Sequence, residues 1–109
     1  MTHKIYLHPE AEGELASIAQ GNKKIATQIL DRIQKLDEDP LAPGFKKIAE
    51  KIYRIRQGDY RIVYAVVSDR VVIYKIAKRD KNTYKDLPAI VKRLKRLLEE
   101  MDHLNSGEK

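Results

Sequence analysis

The stretch from Lys51 to Tyr64, KIYRIRQGDYRIVY, constrains the fold more than any other part of this chain. Gly58-Asp59 is turn chemistry and stands between two runs of β-branched, aromatic and basic residues, so the segment reads as a tight β-hairpin. Side chains alternate along a strand, which sends Arg54 and Arg56 to one face and Tyr53 and Ile55 to the other. Across the turn, Arg61 joins the arginine face when the register permits, while Ile62 and Tyr64 fall opposite. Three guanidiniums gathered in this way repel one another, a cost tolerated mainly where an anion is expected.

The rest of the chain can be read outward from that hairpin. Lys4 to Leu7 is a short strand, stopped by His8-Pro9, and proline suits the first turn of a following helix. Ala11, Leu15, Ile18 and Ala19 recur at helical spacing up to Gly21, and Asn22 can cap the next helix. There Ile25, Ile29, Ile33 and Leu36 form one stripe that ends at Asp39-Pro40. The two helices are expected to pair as an antiparallel hairpin. Residues 40–44, PLAPG, form a loop by composition, and the state of residues 45–50 is left open. Strands follow over 51–56, 60–67 and 70–78, with Ser68-Asp69 as a turn, and make an antiparallel meander. Val71, Val72, Ile73 and Ile76 suit a strand near the sheet centre. From Asp86 a helix is expected, with Ile90, Leu94, Leu97, Met101 and Leu104 as a heptad-like seam. That helix is longer than a domain of this size needs, and its end is expected to meet a second copy or a partner.

The expected fold class is α+β, in the order β-α-α-β-β-β-α: a twisted antiparallel sheet packed on a helical hairpin, with a C-terminal helix. The opposite sheet face is expected to be left for function. A chain of 109 residues, 42% apolar, fits one domain, placed at 1–104 with a polar tail over 105–109.

Composition narrows the chemistry. There is no cysteine, so disulfides and thiolate nucleophiles are excluded. No apolar run approaches membrane-spanning length and the N-terminus has no signal-peptide core, so no membrane contact and a cytoplasmic location are expected. The net charge of +6 is uneven. Residues 1–50 carry seven Lys/Arg against eight Asp/Glu, residues 51–96 carry fourteen against four, and residues 97–109 carry one against four. Basic charge concentrated around the hairpin points to nucleic acid or another polyanion, although a solvated basic face is also compatible with it.

His3, His8 and His103 have no ligand spacing, no serine sits in a nucleophile elbow, and Glu99-Glu100 lie on a solvated helix. What remains is a cationic surface with no metal ligands or cofactor motif: Arg54, Arg56 and Arg61, then Lys78, Arg79, Lys81 and Tyr84. RNA brings its own nucleophile, the 2′-hydroxyl. A protein that holds the backbone in line and clamps the phosphate with arginines stabilises the charge of the transition state. Arginine does not exchange its proton, so proton transfer falls to a lysine, Tyr84 or water. Tyr84 can instead stack on a base or pack at a helix entry. Replacing Arg61 by alanine is expected to reduce function and leave the fold intact, because a surface arginine contributes little to stability.

At these residues the chain resembles the RelE/ParE superfamily of toxin-antitoxin toxins. The likeness runs from KIYLHPEAEGEL through the helical hairpin to YRIRQGDYRIVY and VVIYKIAKRDKNTY. The resemblance implies a RelE/ParE-like, microbial ribonuclease-like fold and a small toxin neutralised by a cognate antitoxin, with a toxin-antitoxin heterotetramer as one assembly. In the RelE branch it implies an endoribonuclease, without cofactor, that cleaves mRNA in the ribosomal A site by 2′-hydroxyl attack. Catalytic positions carried over are Arg54, Arg56, Arg61, Arg79 and Tyr84, with Lys51, Lys78 and Lys81 as RNA-binding positions. The best-studied ribosome-dependent members have lysines where this chain has Arg54 and Arg56. In the ParE branch the same core implies a DNA gyrase inhibitor with no nuclease activity, and an inert relative that only binds its antitoxin is a third reading.

Overall fold

A computed structural model describes residues 3–41, 44–78 and 88–100. The chain divides into two compact units, Met1–Arg79 and Asp80–Lys109, the boundary falling inside the span expected as one domain. The first unit is α+β, as the periodicities imply. Its elements are β1 (Lys4–Leu7), α1 (Pro9–Gly21), α2 (Lys23–Lys35), β2 (Lys46–Ala49), β3 (Ile52–Gln57), β4 (Tyr60–Val67) and β5 (Arg70–Lys78).

The helical hairpin forms where the capping residues put it. Pro9 opens α1, and the His8 ring accepts a hydrogen bond from the Glu10 backbone N–H. Asn22 serves both helices. Its N–H donates to the Ile18 carbonyl and closes α1, while its side-chain oxygen accepts from the Ile25 N–H and opens α2. One residue between the helices forces an abrupt reversal, so their apolar stripes come to lie on the same sheet face.

The sheet order is β1-β5-β4-β3-β2. Strands β2 to β5 form an antiparallel meander, and β1 adds to β5 in parallel, with Ile5 beside Val71 and Leu7 beside Ile73. The structure thus extends the expected sheet by a strand: the open segment before the hairpin becomes β2 at one edge. The β3–β4 turn is tight, Gln57 pairing with Tyr60 around Gly58 at φ +59°. At the other edge β1 stops at Leu7, and Glu14 takes over: one carboxylate oxygen accepts from the Ile76 N–H at 2.9 Å, the other from Lys75 Nζ at 2.9 Å.

Ile55, Ile62, Tyr64, Val71, Ile73 and Ile76 face the helices and pack with Ala11, Ile29, Ile33 and Leu36 in the main core. The opposite face, expected to be left for function, is apolar over part of its area. Its Ile52, Val63, Ala65 and Val72 are buried as well, because side chains this apolar gain from leaving water. The end of that face nearest the β3–β4 turn is polar and carries Arg54, Arg56 and Arg61.

In the second unit, residues 88–100 are helical. Ile90, Leu94 and Leu98 are its buried residues, four apart, while Leu97 is only half-buried. Over these residues the buried positions are thus four apart, with Leu98 in the place the expected seam gave to Leu97. Met101 and Leu104 lie outside the described residues. Among the described residues, no helix is long and apolar enough to cross a membrane.

Candidate active site

Strand register gathers the basic residues. Arg56 stands directly opposite Arg61, and Arg54 lies between Val63 on β4 and Lys46 on β2. Residues paired across a ladder share a face, so Lys46, Arg54, Arg56 and Arg61 all point the same way. Together with Gly44 they line a cleft of about 340 Å³. Gly44 has φ +99°, a conformation that side-chain-bearing residues rarely adopt, and it leaves the wall beside Lys46 bare.

The four cations sit at different depths. Lys46 and Arg56 are exposed, Arg54 is half-buried, and Arg61 is only 4% exposed. This corrects the expectation that Arg61 is a surface residue of little structural consequence. Its strand has β3 on one side and β5 on the other, so its stem is walled in by neighbours. The Arg61 side chain has other interactions, but its Nε is buried with no hydrogen-bond acceptor in reach. A cation held this way meets an incoming anion in a medium of lower dielectric than water, where their attraction is less screened.

Pro40 and Phe45, which flank Gly44 in the chain, are held from the opposite sheet face. The Tyr64 hydroxyl donates to the Pro40 carbonyl, and the Tyr64 ring lies 5.8 Å from that of Tyr53, which meets Phe45 edge-on at 5.8 Å. Burial pushes the Tyr64 pKa up to about 12; Arg32 opposes this, while Tyr53 and Asp39 add to it. Tyr64 therefore stays protonated near neutral pH and remains a hydrogen-bond donor to Pro40.

Of the sequence-expected residues, Arg54, Arg56 and Arg61 come together and Lys51 and Lys78 do not join them. Lys51 occupies the β2–β3 turn at φ +67°, at the far end of β3 from Arg56, with its carbonyl accepting from the Val66 N–H. Lys78 is exposed at the end of β5, paired with Tyr60, whose alternation places it on the helix-facing side. Arg79, Lys81 and Tyr84 lie outside the described residues. Lys46 is a member of the site that the sequence reading does not include. Its signal in the sequence is slight: a basic residue two after Gly44, in a run too short and too charged to read as a strand.

The histidines of the first unit are accounted for locally. His3 Nδ1 lies 3.2 Å from the Asp37 carbonyl, and His8 caps α1 with its ring 4.8 Å from that of Tyr74. Among the described residues, no three His, Asp or Glu side chains come together in a way that could hold a metal ion.

The geometry can be set beside known proteins. Residues 5–83 match the family described as the ParE toxin of the type II toxin-antitoxin system parDE. No curated protein sequence matches significantly. Among solved structures, the chain is similar to a mutant of the E. coli toxin RelE in the free state, with 19% identity and a TM-score of 0.67 over 85% of this chain and 98% of that one. It is also similar to the archaeal RelE–RelB complex from Pyrococcus horikoshii OT3, with 23% identity and a TM-score of 0.63 over 74% and 99%. The chromosomal ParDE toxin-antitoxin system from P. aeruginosa matches at 11% identity and a TM-score of 0.61 over 72% and 98%. At such identities the likeness is one of fold, whereas the family match covers most of the chain in sequence. The chain belongs to the ParE toxin family of type II toxin-antitoxin systems, within the RelE/ParE superfamily.

Proposed function

We propose that this toxin is an endoribonuclease that cleaves mRNA in the ribosomal A site, by attack of a 2′-hydroxyl on the adjacent phosphate, and so inhibits translation. The observation that carries the reading is the cleft where Lys46, Arg54, Arg56 and Arg61 converge. Cleavage through the 2′-oxygen asks for alignment of the backbone and for positive charge where negative charge builds up. The cleft offers both. Its arginines stand on adjacent strands of a rigid hairpin, and guanidinium forks match phosphate oxygens in pairs. Arg79 and Tyr84 would complete the catalytic group, with Lys78 and Lys81 holding RNA further out and Lys51 reserved for more distant backbone. No cofactor is part of the proposal. In the cell, proposed to be in the cytoplasm, a cognate antitoxin would cover the toxin, as in the RelE–RelB complex from P. horikoshii. A toxin-antitoxin heterotetramer is the proposed resting assembly; the YoeB-YefM complex from Staphylococcus aureus has that form.

A second reading has its own support. The matching family is that of ParE, and ParE-type resemblance implies inhibition of DNA gyrase. The deciding experiment is primer extension on an mRNA in programmed ribosomes, comparing the wild type with Arg56→Gln. Arg56 is exposed, so its loss spares the core. Cuts at A-site codons that disappear in the variant are the expected result. Folded wild-type protein that makes no cuts but blocks gyrase supercoiling would replace the nuclease reading with the second one.

A further inference from the structure

The four cations of the cleft differ in one respect that matters for bond breaking. A guanidinium keeps its proton at any pH the protein meets, since its pKa lies above about 12. Arg54, Arg56 and Arg61 can therefore grip a phosphate and neutralise charge, but they donate a proton poorly. Among the described residues, Lys46 is the remaining cation of the lining. Lysine ammonium groups release a proton more readily than guanidiniums, by roughly two to three pKa units.

Its position follows from the ladder. Lys46 pairs with Arg54, and Lys47 pairs with Tyr53. Alternation thus turns Lys46 toward the arginines and Lys47 away from them. Lys46 is exposed, on an edge strand, beside a glycine that puts no side chain in the way. A phosphodiester held by Arg54 and Arg56 would have this ammonium at its open side.

We propose that Lys46 is the proton donor to the leaving 5′-oxygen when RNA is cleaved at this cleft. The inference rests on the nuclease reading above and assigns the step that the arginines perform poorly. In that step the 2′-oxygen bonds to phosphorus as its proton passes to water, and the bond from phosphorus to the 5′-oxygen breaks. The bonding pair stays on the 5′-oxygen, which takes a proton from Lys46 Nζ. The products are a 2′,3′-cyclic phosphate and a 5′-hydroxyl, and the amine regains its proton from solvent.

Single-turnover cleavage on programmed ribosomes tests this with two mRNAs that differ only at the scissile linkage. One has the ordinary 5′-oxygen, and the other has sulfur in its place. A thiolate leaves without being protonated, because thiols are far more acidic than alcohols. Lys46→Met and Lys46→Arg should slow cleavage of the oxygen substrate by about 10²-fold or more, the usual contribution of a positioned acid. On the sulfur substrate, where no proton is needed, the slowing of both variants should shrink by about tenfold or more, leaving only the part owed to lost phosphate contact. A Lys46→Arg protein fully active on the oxygen substrate would reduce Lys46 to an attractive charge and overturn the proposal. Equal slowing of both substrates would overturn it too. Wild-type protein that cleaves neither mRNA would sink the nuclease reading itself, and this inference with it.

Discussion

Arg61 is the residue where function and stability pull against each other. It is buried, it faces Arg56 across the ladder, and it lines the cleft. Removing a charge from water costs several kcal/mol, and replacing a buried ion by an apolar side chain of similar volume is often neutral or stabilising. Arg61→Met should accordingly melt at or above the wild-type temperature while losing toxicity; a melting point several degrees lower would mean that the interactions of the guanidinium outweigh its desolvation. Alternation along the strand places Arg61 on the correct face, but period-2 logic carries no information on depth, which depends on β5 closing the other side. Tyr64 gives a second test at this scale. Its folded pKa of about 12 lies above the unfolded value near 10, so the unfolded chain loses its proton first as pH rises. The stabilisation is whole below pH 10 and declines between about 10 and 12. Tyr64→Phe should lose about 1 kcal/mol at neutral pH with its hydrogen bond to Pro40, and should show a shallower alkaline fall in thermal melts.

The elements differ in how plainly they are written in the sequence. The β3–β4 hairpin and the α1–α2 reversal are legible because their information is local: a Gly-Asp turn between alternating runs, and one asparagine between two stripes. Strand β2 is not. Its four residues KKIA pair on one side only, and lysines at a sheet edge are what keeps such a strand from recruiting another chain. The parallel pairing of β1 with β5 joins Lys4 to Arg70, and no local pattern announces a partner so distant in the chain. The turns also make an opposed pair of predictions. Gly58 has φ +59°, and a methyl group added to its α-carbon would point into open space, so Gly58→Ala meets only the backbone penalty, about 1–2 kcal/mol of lost stability. Ser68 at φ +53° already bears that penalty. Ser68→Gly should gain about 0.5 kcal/mol, less than the full relief because glycine adds freedom to the unfolded chain. Urea unfolding of the two variants beside the wild type measures both, and changes of the same sign would refute the account of these turns.

At the scale of the molecule the question is where the basic charge acts. The sequence concentrates it in residues 51–96, yet the cleft takes three of its cations from that segment and the fourth, Lys46, from the half with slightly more acid than base. Register does this, by bringing β2 alongside β3. A linear count of charge therefore finds the polyanion-binding region and misses one member of the site. The consequence can be measured. Each phosphate neutralised on a single strand releases counterions, so log K falls with log salt with a slope of about −0.7 per contact. Four cleft cations that each engage a phosphate give a slope near about −3 for a short single-stranded RNA. Lys46→Met, Arg54→Gln and Arg56→Gln should each make it shallower by about 0.7, whereas Lys51→Gln, at the far end of β3, should change it little. The comparison separates a focused site from a diffuse basic surface. A focused cleft responds strongly to three substitutions and weakly to the fourth. A diffuse surface responds to all four alike, and that result would remove the cleft from its role as the phosphate-binding centre.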